Sequence, residues 1–320
     1  MKEADLVSKK ILITGASGFV GAVLLRRVVT KYPKAIPYVL LRKTSKTWRI
    51  DDILGKTNVL EGDVTDFETI HKLVQKIKPD VVFHLAAYGA YHYQDSLDEA
   101  IKVNYLGTKN LLTALEKIHY RLFVNTGSSS EYGYKNHAMK ETDFLEPASF
   151  YAATKAAVTH LCTTYSMLNN RPIVTLRPFS VYGPYEEPGR FMPTAILGAI
   201  GEKVINVVKG PVRDFIYVED FVDAYFDCLR LKSFNHRIFN ICSGTQVSIE
   251  KTARMVIKLV KSKSQLTIGT YKSRPWDTNH WVGSNFLAKD ILGWKPKHSL
   301  EDGLIKSIKW FNINKEFYEK

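Results

Sequence analysis

Cysteine is scarce: the 320 residues include only Cys162, Cys228 and Cys242, an odd number with no CxxC spacing among them. A disulfide scaffold and a cysteine-based zinc site are both disfavoured, and a reducing compartment is the expectation. No stretch approaches the ~18 uninterrupted apolar residues that a membrane span needs. The amino terminus, MKEADLVSKK, lacks the apolar core of a secretory leader, so a cytoplasmic protein is expected. Acidic residues are the minority charge, 32 against 45 Lys and Arg, for a net charge of +13. That balance suits an anionic partner such as a phosphorylated small molecule. The cations are scattered, however, with no run of five or six and no basic stripe interleaved with aromatics. The charge reads as a solvated face, and neither nucleic acid nor membrane is the expected partner.

What is present is ordinary globular material, with 45% hydrophobic and 24% charged residues. At this length a chain buries roughly three quarters of its extended surface, enough for a large core. Short β-branched runs at residues 11–14, 38–41, 59–60, 81–84, 121–124 and 173–176 read as buried strands. Helical spacing falls between them, notably over 67–77, 97–117 and 149–169. Strands alternating with helices predict an α/β fold, a doubly wound parallel sheet. After Pro178 the rhythm gives way to Gly- and Pro-rich loops. We expect residues 1–177 to form a dinucleotide-binding domain and 178–320 a smaller, interleaved substrate region, with 238–243 returning to the sheet.

Gly15, Gly18 and Gly21 follow the first strand and open a helix. The first glycine suits a tight turn, the second lets backbone approach a pyrophosphate at the helix N-terminus, and the third lets helix and strand pack closely. Ser17, Phe19 and Val20 stand in the same turn and are counted as dinucleotide contacts. At the end of the second strand an acidic residue would bond a ribose 2′-hydroxyl and favour NAD(H). This chain has Arg42 and Lys43 there, which suit a 2′-phosphate, so NADP(H) is preferred and NAD(H) is the alternative.

Tyr151 and Lys155 lie four residues apart in a predicted helix and share a face. An ammonium beside a phenol lowers the phenol pKa, which would make Tyr151 an acid/base near neutral pH.

Taken in order, TGASGFVG (14–21), GDVTD (62–66), HLAA (84–87), VNYLGT (103–108), SSSEYG (128–133), YAATK (151–155), LRPFSVYGP (176–184) and RDFIYVED (213–220) span nearly the whole chain. With these motifs the sequence resembles the extended short-chain dehydrogenases/reductases, in the group of nucleotide-sugar epimerases, dehydratases and reductases. The resemblance implies a Rossmann-type sheet, an NAD(P)-dependent enzyme, a nucleotide-diphosphate sugar as substrate and no metal. It also implies a homodimer through two long helices, here near 97–117 and 149–169.

It further implies roles for individual residues. Ser128, Tyr151 and Lys155 would be catalytic, with Tyr151 and Lys155 also contacting the cofactor, Lys155 at the nicotinamide ribose. Asp63 and Val64 would hold the adenine. Leu85, Ala86 and Ala87 would line the nicotinamide side, and Asn104 would support the active-site loop. Ser129, Arg190, Arg213 and Arg274 would meet the substrate, and the segment 88–94, with His92, would touch the sugar.

Members that eliminate water carry a glutamate at the position of Ser130, and one type adds an aspartate at that of Ser129. Neither carboxylate is present, and Glu131 stands one residue away. Dehydratase and decarboxylase readings are therefore disfavoured, and Arg42 with Lys43 tips the remaining choice towards a 4-ketoreductase using NADPH; residues 180–194 resemble the CDP-abequose synthase type of reductase. The alternatives are a 4-epimerase that retains NAD and a non-catalytic NADP-binding sensor or scaffold. The second is disfavoured because Tyr151 and Lys155 are both present.

Overall fold

A computed structural model describes residues 6–91, 93–269 and 278–318. The chain runs β1 (Lys10–Thr14), α1 (Phe19–Lys31), β2 (Ile36–Leu41), β3 (Asn58–Glu61), α2 (Phe67–Ile77), β4 (Val81–His84), α3 (Leu97–Ala100), α4 (Gly107–Ala114), β5 (Leu122–Thr126), α5 (Phe150–Leu168) and β6 (Ile173–Pro178). It continues through β7 (Ser180–Tyr182), α6 (Phe191–Ile200), β8 (Ile205–Val207), β9 (Val212–Tyr217), α7 (Val218–Asp227), β10 (Ile238–Ile241), β11 (Gln246–Ser248), α8 (Ile249–Val260), β12 (Leu266–Ile268) and α9 (Leu300–Ile313).

Seven strands form one parallel sheet in the order β10-β6-β5-β4-β1-β2-β3. Successive side chains of a strand point to opposite faces. Ile11 and Ile13 accordingly join Phe83 and Val124 under α1 and α7, in a cluster with Leu24, Leu25, Val222 and Phe226. Leu12 turns the other way and joins Val82 and Phe123 beneath α2, α4 and α5, with Val74, Leu111 and Val158. Because both faces are covered, the strands read as continuous apolar runs. This is the doubly wound sheet expected from the alternation. A third cluster gathers α6, α8 and α9 against β9, through Met192, Ile196, Val256, Leu304 and Phe311.

The sheet order reverses between β1 and β4, and open α/β sheets bind ligands at that reversal, beyond the carboxyl ends of the strands. Thr14 ends β1 level with His84 of β4 and Leu40 of β2, which fixes the rim of the crevice. β10, from the carboxy-terminal part, pairs in parallel with β6 and extends the far edge. Two smaller sheets, β11-β9-β7 and β12-β8, stand apart from it.

The helix expected over 97–117 runs without a break over residues 97–114 but is not α-helical throughout. Between α3 and α4 the backbone takes a π-helical turn at Ile101–Leu106, and α4 ends at Ala114. A π turn inserts a residue into the helical ladder, a device common at functional sites. Here it buries Asn104. No helix among the described residues is long and apolar enough to cross a membrane.

Candidate active site

The glycine turn is built by close approach. Gly15 has φ +71°, and a Cβ there would lie 2.7 Å from the Ala86 nitrogen. A Cβ on Gly21 would lie 2.1 Å from the Gly15 oxygen, so helix α1 meets the turn at backbone distance. Gly18 caps α1 with extended backbone and no side-chain cap, and the first turn carries no acid. A Cβ on Gly18 would meet only the Gly15 oxygen, at 3.3 Å. The amino end of a 13-residue helix is thus left with unsatisfied N–H donors and room above them. This fits the diphosphate of a dinucleotide. Phe19 and Val20 pack their side chains into the third apolar cluster, leaving their backbone toward the turn, and Ser17 is half-buried beside them.

Arg42 and Lys43 lie exposed just past β2. Lys43 Nζ stands 3.4 Å from Glu61 Oε1, and the Arg42 amide donates to Ser45 Oγ at 3.0 Å. Asp63 Oδ1 accepts the Thr65 amide at 2.9 Å, and buried Val64 has its carbonyl held by Asn110.

At the reversal point one hydroxyl organises the rim. Thr14 Oγ1 accepts the amides of Leu85 and Ala86, each at 3.2 Å, and lies 2.7 Å from His84 Nδ1. His84 Nε2 is 2.9 Å from Thr108 Oγ1, whose own proton goes to the Asn104 carbonyl. Thr108 therefore accepts from His84, which fixes the proton on Nε2 and leaves Nδ1 to accept from Thr14. Burial holds this imidazole neutral, its pKa pushed down to about 3. Asn104 accepts the Tyr88 amide at 2.8 Å and donates to the Tyr88 carbonyl and to Thr154 Oγ1, both at 2.9 Å. The π turn thus ties the 85–88 loop, with Ala87 exposed on it, to α5.

Ser149 caps α5 and sets Tyr151 in its first turn. Gly89, at φ +95°, comes so close that a Cβ would lie 3.0 Å from Tyr151 Cβ. Lys155 is buried, donates to the Thr126 carbonyl at 2.7 Å, and lies 5.8 Å from the Tyr151 ring centre. Ser128, the residue that starts a 3-10 turn at Ser129–Tyr132, stands beside Tyr151, whose ionised form it favours, and places its Oγ 2.7 Å from Ser130 Oγ.

One expectation is corrected here. Lys155 does not make the phenol acidic. Burial pushes Tyr151 up to about 12, opposed by the nearby Ser128 hydroxyl and by Arg190. Burial also pushes Lys155 down to about 8.

Of the residues expected to meet substrate, Ser129 is buried within the 3-10 turn. Arg190 is exposed at the start of α6, donates to the Ala90 carbonyl at 3.3 Å, and comes within 3.6 Å of Glu186. It thereby joins the 88–94 segment to the loop after β7. Arg213 is half-buried on β9, its Nη1 on the Val212 carbonyl at 2.7 Å. Arg274 and His92 lie outside the described residues.

Sequence reasoning overlooked three features. Thr14 and His84 read simply as strand residues, although both stand inside quoted motifs. Glu131 is fully buried and ion-paired with Arg177 of β6, Nε to Oε2 at 2.7 Å. Asp214 is also buried, taking bonds from Ser243, Gly244 and Gly283, and burial raises it to about 6. Among the described residues no group of three His, Cys, Asp or Glu is placed to hold a metal ion.

Comparison with known proteins gives a consistent set of likenesses. The model of the "NAD dependent epimerase/dehydratase family" matches residues 11–242. The chain is 28% identical, over 99% of its length, to a trifunctional UDP-glucose 4,6-dehydratase/UDP-4-keto-6-deoxy-D-glucose 3,5-epimerase/UDP-4-keto-L-rhamnose-reductase of Arabidopsis thaliana. It spans only 49% of that protein. It is 26% identical to the dTDP-D-glucose 4,6-dehydratase of Dictyostelium discoideum, over 98% of this chain and 84% of the other. Among solved structures, UDP-glucuronic acid 4-epimerase from Bacillus cereus, in complex with UDP-glucuronic acid and NAD, superposes with a TM-score of 0.85 at 28% identity. That match covers 95% of this chain and 99% of the epimerase.

Proposed function

This chain belongs to the NAD dependent epimerase/dehydratase family of enzymes, and from that premise we propose that it reduces the 4-keto group of a deoxysugar nucleotide, using NADPH. In this reading residues 1–177 supply the dinucleotide site and 178–320 most of the sugar-nucleotide site. A bound nicotinamide would deliver hydride to the sugar carbon. Tyr151 gives its proton to the carbonyl oxygen as that oxygen gains charge, and Ser128 stabilises the same oxygen by hydrogen bonding. Lys155 keeps a positive charge beneath them. Gly15, Gly18 and Gly21 hold the diphosphate, and Arg42, with Lys43, meets the 2′-phosphate. Arg190, Arg213 and Arg274 take the substrate's own diphosphate.

Two observations support this reading: Arg42 and Lys43, exposed past β2, favour NADPH over a retained NAD, and the one carboxylate in the serine turn weighs against dehydration. Water elimination from a sugar needs a base beside the ring. Glu131 is fully buried, with one oxygen on the Ser128 amide and the other on Arg177, so it is sealed from the cleft in which a base would act. Ser129 and Ser130 contribute hydroxyls alone. Dehydration, the activity named for the amoebal relative, is therefore disfavoured here.

A 4-epimerase is the second reading, favoured by the extent of the match to the Bacillus cereus epimerase. Analysis of the dinucleotide that copurifies separates the two. Exchangeable NADPH, oxidised on adding UDP-4-keto-6-deoxy-D-glucose or its dTDP or CDP counterparts, is expected. Tightly held NAD with interconversion of 4-epimers would overturn the reductase.

The reading includes a homodimer. Leu97, Ile101 and Leu106 before α4, and Phe150, Met167 and Leu168 on α5, expose apolar side chains that a second copy would cover. The three buried free thiols suit a reducing cytoplasm. Sedimentation velocity is expected to give a dimer.

A further inference from the structure

Glu131 stands at the centre of a buried network that the proposed chemistry leaves unused. Its Oε1 accepts the Ser128 amide at 2.8 Å, while its own amide returns to the Ser128 carbonyl at 3.2 Å. Its Oε2 takes Arg177 Nε at 2.7 Å. Arg177 Nη1 donates to the Tyr132 hydroxyl at 2.9 Å, and that hydroxyl donates to Asn240 Oδ1 at 2.7 Å. Asn240 is fixed in turn, through its Nδ2 on the Met139 carbonyl at 3.0 Å and its amide on Glu141 at 2.7 Å. Arg177 and Asn240 face each other in the β6–β10 register. An unbroken chain of bonds therefore runs from the far edge of the sheet to the main chain of Ser128.

Capping a four-residue 3-10 turn does not require such a device. A hydroxyl or amide at the surface satisfies the same amide, whereas two sealed charges carry a large desolvation cost. The backbone is also shaped around the carboxylate, since a Cβ on Gly127 would lie 2.6 Å from Glu131 Oε1. The adjoining residue is Ser128, whose hydroxyl stands beside Tyr151.

We propose that Glu131, clamped by Arg177, is a positioning residue that fixes the Ser128 main chain so that Ser128 Oγ meets Tyr151 and the substrate oxygen together. This rests on the roles given above to Ser128 and Tyr151. Both carboxylate oxygens are held by protein partners, so the positioning role runs through Ser128; the Glu131 charge, which also favours the Lys155 ammonium, is kept in Glu131→Asp.

The test is a double-mutant cycle on the full chain. NADPH oxidation is followed with UDP-, dTDP- and CDP-4-keto-6-deoxyglucose, alongside NADPH binding by fluorescence titration. Glu131→Gln is expected to lower kcat by about 10²-fold, the scale of a small misplacement of a reacting group. KM and the NADPH Kd should stay within about twofold. In a Ser128→Ala background the same substitution should cost less than about twofold more, since residues acting as a unit are not additive. Losses that multiply would overturn the proposal.

Should Glu131→Gln not fold, Glu131→Asp keeps the charge, withdraws it by one methylene, and is read against the same two outcomes. If the wild type turns over none of the three sugars, the functional reading fails. Amide exchange of the 127–132 segment then decides the positioning role. Faster exchange at Ser128 in the variant supports it, and unchanged protection overturns it.

Discussion

Lys155 Nζ donates to the Thr126 carbonyl oxygen at 2.7 Å, at the carboxyl end of β5. The ammonium is therefore held by the sheet and faces the Tyr151 ring from 5.8 Å, with no bond to the phenol oxygen. The Thr126 hydroxyl donates to the His84 carbonyl at 2.8 Å, which ties this lysine anchor to the neighbouring strand. A phenol at about 12 stays protonated and is a donor by default, while the lysine at about 8 is the group poised to change charge near neutrality.

The pH dependence of the proposed reduction follows from that pair. Burial disfavours the charged form, so Lys155 falls from the ordinary lysine range of about 10.4 to about 8. Below that point the ammonium is present to offset charge developing on Tyr151 as its proton leaves. Above it the charge is lost. We expect kcat/KM for keto reduction to be level on the acid side and to fall with one inflection near 8. A profile flat to about pH 10, where an ordinary lysine titrates, would discard the role.

Tyr151→Phe removes the hydroxyl and leaves the ring packed on Gly89. Loss of a positioned general acid costs about 10²- to 10⁴-fold in rate. The dinucleotide Kd should hold within about twofold, because the glycine turn proposed to carry the diphosphate is untouched. Turnover within about threefold of wild type would remove Tyr151 from the chemistry.

Much of this was legible because two periodicities carry it. Continuous apolar runs marked strands buried on both faces, and Gly15, Gly18 and Gly21 marked the strand–turn–helix. A repeat of four put Tyr151 and Lys155 on one helix face, but spacing along a helix does not say which partner the end of a long side chain chooses. Lys155 chose a carbonyl on β5, a contact 29 residues away in sequence. The π turn was hidden for a related reason, since one inserted residue hardly disturbs an apolar pattern. Glu131 looked misplaced for chemistry, and its use became visible only when β6 brought Arg177 to it.

Arg42 is the cleaner test of cofactor choice, because Lys43 already stands near Glu61. Arg42→Ala is expected to weaken NADPH by ~1.5–3 kcal/mol, the range for a hydrogen bond to a charged group. NADH, lacking the 2′-phosphate, should change little. Titration of both dinucleotides checks this, and equal losses would mean that Arg42 does not read the phosphate.

Glu186 offers a stability test away from the reacting atoms. Its carboxyl is buried in the loop after β7, with Oε1 3.6 Å from Arg190 Nε and no hydrogen-bond partner for Oε2 among the described residues. Burial pushes it up to about 7, the nearby guanidinium of Arg190 opposing. Between the ordinary glutamate range of about 4.3 and that value, the native state keeps a proton the unfolded chain has lost. Native stability then declines as pH rises across this window, by up to about 4 kcal/mol. A glutamine carries no such titration. The melting temperature of Glu186→Gln minus that of wild type should therefore grow by several degrees from about pH 5 to about pH 8. Taking the difference cancels the other titrating groups, Asp214 included. An offset that is the same at both pH values would show that Glu186 is ionised throughout, with Arg190 holding its charge more firmly than burial resists it.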